Sequence, residues 1–221
     1  MLFGDVQQLP PVGAKAMSYA AMPSNVASSD GYGKHVFEEF LEPPANSYDN
    51  EIRDVPADGN CGFAVLRNGL IKMGKLERTC SIADFRKHIY EYARDHHDYL
   101  LAIGGDCFYT FRGSYFEQML AAIYHPEVDL NGFVERYFWI DMSFTLPLVM
   151  VMHDLEYLVQ YDRDVSGNTY WWKRVQGAET NEFTIISGIV PGAFHFPTKR
   201  IPNSIFFLFT NGCHCESLLM T

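Results

Sequence analysis

The chain has 221 residues, 48% hydrophobic and 20% charged, a composition that excludes a disordered, collagen-like or disulfide-scaffold protein. Its 27 Asp and Glu against 17 Lys and Arg leave a formal charge of −10. With no basic stripe along it, the chain is not expected to bind nucleic acid, because that requires phosphates to be neutralised by clustered cations.

Residues 1–45 are rich in Pro, Gly, Ser, Ala and Asn, with one periodic stretch at 33–41, and read as mostly loop with a short helix. Residues 46–55 are polar and run into Pro56, the pattern of a linker. The packed domain is expected over 56–221. At this length one core can bury about 70% of the surface that the unfolded chain exposes, so one main domain with an appendage is the size expectation.

Within that domain Phe63, Leu66, Leu70 and Ile71 follow the spacing of an amphipathic helix starting near Asn60. Ser81 is placed to cap a second helix over 81–99, with Ile82, Phe85, Ile89 and Tyr92 on one stripe. Further helices are expected at 115–124, 131–138 and 141–152, the last despite Pro147. Strand character then takes over at 157–161, 169–174, 183–186 and 204–209. Asn211 and Gly212 form the pair that a type I′ hairpin favours, which makes the C-terminus an antiparallel pair. Helices first and strands later specify an α+β fold, with helices packed on a mainly antiparallel sheet from the C-terminal half.

The longest apolar run, 144–152, is about half a bilayer span, so no membrane partner is expected. The start of the chain lacks the basic region of a signal peptide. Five cysteines without regular spacing fit a reducing compartment. Together these set the expectation of an intracellular protein, cytoplasmic or nuclear.

One cysteine stands apart. Cys61 opens a predicted helix directly after Gly59 and Asn60, where the positive end of the helix dipole and unpaired N–H groups lower a thiol pKa. The same N–H groups, with those of Gly59 and Asn60, can hold the oxyanion of an acyl intermediate. A nucleophilic cysteine needs a base from a distant segment. Of eight histidines, His214 is two residues past the predicted hairpin turn and in phase with Glu216, so a carboxylate shares its strand face and can orient the imidazole. Cys213 and Cys215 alternate with His214 and read as fillers of the opposite face. The Cys213-His214-Cys215 run is too tight for zinc, whose ligand pairs need two or more intervening residues, and neither metal nor cofactor is expected.

These residues carry a family resemblance. Asp-Gly-Asn-Cys-Gly-Phe at 58–63 resembles the nucleophile motif of the ovarian-tumour (OTU) family of cysteine proteases, and His-Cys-Glu-Ser-Leu at 214–218 resembles its terminal histidine motif. Between them, Tyr-Phe-Trp-Ile-Asp at 137–141, an apolar helix and Glu-Tyr-Leu-Val-Gln-Tyr-Asp at 156–162 are similar to the family's tryptophan-bearing segment, helix and strand, in the same order. The resemblance covers roughly residues 54 to 219. It implies a papain-like peptidase that cleaves ubiquitin from lysine side chains or from other ubiquitins, with Cys61 the nucleophile, His214 the general base and Asp58 the acidic residue commonly named with them. The chain departs from the family pattern at Glu216, where Asn or Asp is usual, at Gly62, where Leu is usual, and at Cys215, where an aromatic is common. Those departures keep open the alternative of a catalytically inactive ubiquitin-binding module.

The first residues resemble a different family. Leu-Phe-Gly-Asp-Val-Gln-Gln-Leu-Pro-Pro-Val at 2–12 is similar to a motif of superfamily 1 DNA helicases, in which Gln8 would sense a nucleotide γ-phosphate. No phosphate-binding loop precedes it, so the resemblance implies a nonfunctional helicase-like remnant, as in a Helitron-type transposon arrangement. A helicase fragment is thus the third reading.

Overall fold

The computed structural model describes residues 51–103, 114–162, 167–176, 183–190, 202–210 and 213–219. The helicase-like stretch at 1–45 and the first part of the expected linker lie outside the described residues, as do Asn211 and Gly212. The rest of that linker holds a strand, β1 (Glu51–Arg53).

After β1 the order is α1 (Cys61–Lys72), α2 (Ile82–Asp95), α3 (His97–Ile103), α4 (Ser114–Ile123), a 3-10 turn at Arg136–Phe138 and α5 (Met142–Met152). The strands β2 (Tyr157–Asp162), β3 (Thr169–Gln176), β4 (Phe183–Val190), β5 (Ser204–Thr210) and β6 (His214–Leu219) follow. They form a six-stranded sheet in the order β1-β6-β5-β2-β3-β4. Its one parallel pair is β2 with β5; the other four pairings are antiparallel. The fold is therefore α+β, with a mainly antiparallel sheet whose strands, β1 apart, come from the second half of the chain.

Local chemistry explains the helix starts. Ser81 Oγ accepts from Asp84 N at 3.0 Å and Asp84 Oδ2 accepts from Ser81 N at 3.3 Å, a reciprocal cap on α2. Asp141 Oδ1 accepts from Phe144 N at 3.0 Å and starts α5. The helix expected over 81–99 breaks at His96, whose ring Nδ1 and backbone N–H both meet Tyr92 O at 3.0 Å and close the last turn of α2.

Every residue of α5 from 144 to 151 is buried, and the helix contacts α2, β2 and β3. That burial accounts for Pro147. A proline inside a helix costs about 3 kcal/mol. Six buried apolar side chains, Phe144, Leu146, Leu148, Val149, Met150 and Val151, each return about 1.5–3 kcal/mol, so the helix continues through it. β2 is buried at all six positions, as a strand covered on both faces must be.

The helix expected at 131–138 does not form. Leu130 O and Gly132 O accept from the Asn60 side chain, and Val134 N donates to Asp58 O, so these backbone groups are bonded across the molecule instead of to one another. Only the 3-10 turn at Arg136–Phe138 remains.

Candidate active site

Two ends of the fold meet at the site. α1 packs over β6, and β1 pairs with β6 so that Arg53 lies opposite Ser217. This brings residues 54–62 against the start of β6.

The loop before Cys61 is built by its own side chains. Asp58 Oδ1 accepts from Asn60 N at 2.9 Å, and Asp58 O accepts from Val134 N at 2.8 Å. Gly59 sits at φ +87°, where side chains are strained, and a Cβ there would lie 2.6 Å from both Val134 O and the Trp139 Nε1. No other residue fits. Gly62 is required by space alone, since a Cβ would stand 2.2 Å from Ile140 Cγ2. The Leu that the motif resemblance leads one to expect at this position has no room, because Ile140 fills the volume.

Asn60 is 1% exposed, and its side chain works away from the helix it precedes. Its Nδ2 donates to Leu130 O at 3.2 Å and Gly132 O at 3.0 Å, and its Oδ1 accepts from Arg86 Nη1 at 2.6 Å. Arg86 is fully buried and also donates to Ile123 O, Ala122 O and Phe138 O at 2.7–2.9 Å, with its guanidinium 4.1 Å above the Phe63 ring. Burial pushes its pKa down to about 9, Asp58 opposing, and the group stays charged at neutral pH. Sequence reasoning missed Arg86 because a cation on a charged helix ordinarily faces water.

Cys61 is buried at 7% exposure at the first position of α1, where its N–H has no intrahelical acceptor. Its thiol donates to Cys213 O at 3.8 Å. The Cys61 pKa is lowered to about 6, first by a hydrogen bond from the Cys215 side chain, with burial opposing, then by the Cys215 backbone and by the charge and hydrogen bond of His214. Cys215, expected only as a filler facing away from His214, is 1% exposed and carries the opposite effect. Its own thiol is held well above the usual range by the bond to Cys61 and by burial. Cys213 is exposed beside the turn.

His214 begins β6, opposite Thr210. Its Nε2 bonds Asp54 Oδ1 at 2.8 Å, leaving Nδ1 as the nitrogen free for the thiol. Burial alone would lower its pKa, but the bonds to Asp54 and Cys61 and their charges outweigh it and raise the value. The carboxylate that bonds the imidazole is therefore Asp54, which lies in the segment the sequence marks as a linker. Glu216, expected in that role, has a carboxylate within 4.8 Å of the His214 and Asp54 ligand atoms, but no hydrogen bond joins it to the ring among the described residues. Asp58 bonds the backbone of its own loop, not the imidazole. No local signal marks Asp54: it lies 160 positions from His214, and β1 is only three residues long.

Of the expected oxyanion donors, the Asn60 N–H is occupied by Asp58, while the N–H groups of Gly59 and Cys61 make no hydrogen bond among the described residues. Among the described residues no helix is long and apolar enough to cross a membrane.

No family model matches the chain, and no curated protein matches it. Among solved structures it is similar to the Hazara virus OTU bound to ubiquitin, at 13% identity and a TM-score of 0.41, over 84% of this chain and 98% of that one.

Proposed function

We propose that this chain is a thiol-dependent hydrolase of the OTU type that cleaves isopeptide bonds at the C-terminus of ubiquitin. What carries the reading is one convergence: a cysteine at a helix N-terminus, its pKa lowered to about 6, beside a histidine whose pKa is raised and whose far nitrogen is held by Asp54. At neutral pH Cys61 is then largely a thiolate, and the raised pKa of His214 favours an imidazolium beside it. The thiolate of Cys61 attacks the glycine carbonyl, and the Cys61 N–H bonds the oxyanion that forms. The imidazolium of His214 gives its proton to the departing lysine amine, which leaves a thioester on Cys61. Neutral His214 then takes a proton from water, the hydroxide attacks the thioester, and ubiquitin leaves with a free carboxylate.

The ubiquitin part of the reading is supported by the motif resemblance at 58–63 and 214–218 and by the charge of −10, which suits a tail that carries arginines. Ubiquitin bearing an electrophile at its C-terminus tests it. Labelling of Cys61 in the wild type and none in Cys61→Ala is the expected result. A folded wild type that takes no label, or labelling that survives in Cys61→Ala, overturns it.

A further inference from the structure

The segment 129–134 is fastened to the nucleophile loop on both sides of one residue. Gly132 O accepts from Asn60 Nδ2 at 3.0 Å and Val134 N donates to Asp58 O at 2.8 Å, while Arg86 holds Asn60 from below. Between the two anchors Phe133 is 76% exposed. It is the most exposed large hydrophobic among the described residues, and one of the other two, Tyr137 at 44%, follows four residues later.

A phenyl ring kept in water forgoes about 1.5–3 kcal/mol of burial. A loose loop would let it turn inward, but this backbone is tied to the loop before Cys61, itself held by Asp58 and Arg86. Its backbone is bonded on either side to residues 58 and 60, which lead directly into Cys61. A peptide whose terminal carbonyl reaches Cys61 can therefore meet this segment with a side chain a few residues before the scissile bond. The surroundings are acidic: residues 54–62 and 125–136 contain Asp54, Asp58, Glu127, Asp129 and Glu135 against one cation in those stretches, Arg136, whose guanidinium lies 5.9 Å from the Trp139 ring, and the charge of Arg86 is buried on Asn60. The occupant such a wall fits is an extended tail that mixes apolar and cationic side chains, as the tail of ubiquitin does.

We infer that Phe133 is a specificity-determining contact for the acyl-side tail of ubiquitin, presented by a segment that Asn60 and Arg86 clamp onto the nucleophile loop. This rests on the ubiquitin reading above. Two measurements separate the claims: the affinity for ubiquitin, taken in the Cys61→Ala background so that no acylation intervenes, and the turnover of a ubiquitin substrate. Phe133→Ser is expected to weaken the affinity on the order of tenfold, and Phe133→Leu to recover most of the loss. In turnover the loss falls mainly on KM. Affinity unchanged within about twofold, or a loss confined to kcat, overturns the assignment of Phe133. Ubiquitin binding without turnover in wild type overturns the hydrolase reading and leaves Phe133 to be decided by affinity. No ubiquitin binding at all overturns both.

Discussion

At the residue scale, the site is a chain of proton donors and acceptors, Cys215 to Cys61 to His214 to Asp54, and each link sets the charge of the next. Because the Cys61 pKa is lowered to about 6, alkylation by iodoacetamide should rise through about pH 6 and level off by neutrality, instead of following an ordinary thiol near 8.5. Cys215→Ala removes the largest lowering influence and should move that midpoint upward, which a pH series of alkylation rates reads directly. Asp54→Asn acts from the other side. His214 loses a bond and a charge that raise its pKa, so the imidazolium disappears at lower pH and the alkaline limb of the turnover profile shifts down. Turnover at neutral pH is expected to fall on the order of 10²-fold, with a smaller loss in Glu216→Gln. An equal loss in the two variants would contradict the assignment of Asp54.

At the scale of elements, a helix start and a loop are locked together by one buried cation. Arg86 fills four acceptors from three parts of the chain, namely the end of α4, the 3-10 turn and the loop before Cys61. Removing it strands all four in the interior, each at about 1–3 kcal/mol. Arg86→Ala is therefore expected to lower the unfolding free energy by at least about 3 kcal/mol in denaturant titrations, and Lys, a point donor without the planar fork, should not restore it. The same network explains why 131–138 is not a helix. Its apolar spacing is helical, but the Asn60 side chain and Asp58 carbonyl bind the backbone groups that a helix would need.

At the scale of the molecule, the sheet order puts both ends of the domain side by side. β6 lies between β5 and β1, so the histidine near the C-terminus receives its carboxylate from the residue following β1. A domain begun at residue 56, where the sequence reading starts it, would lack both β1 and Asp54. A chain starting at residue 50 is expected to label with the ubiquitin electrophile as the full chain does, and one starting at residue 56 at least 10²-fold more slowly, on the order seen when a triad carboxylate is lost. Equal rates would show that β1 and Asp54 are dispensable.

What the sequence by itself determined are the features written between near neighbours. The stripe and Ser81 cap of α2, the apolar α5 and the positions of the later strands along the chain all follow from short-range periodicity. So does the placing of Cys61 at a helix start behind Gly59, since the bend and the dipole are local properties. Only the tertiary structure decided which carboxylate faces His214, that the Cys215 thiol bonds Cys61, and that Arg86 and Asn60 hold the loop before it. The reason is physical. These contacts join residues 26 to 160 positions apart, or turn on where one side chain points, and such bonds satisfy polar groups individually without imposing any period on the chain.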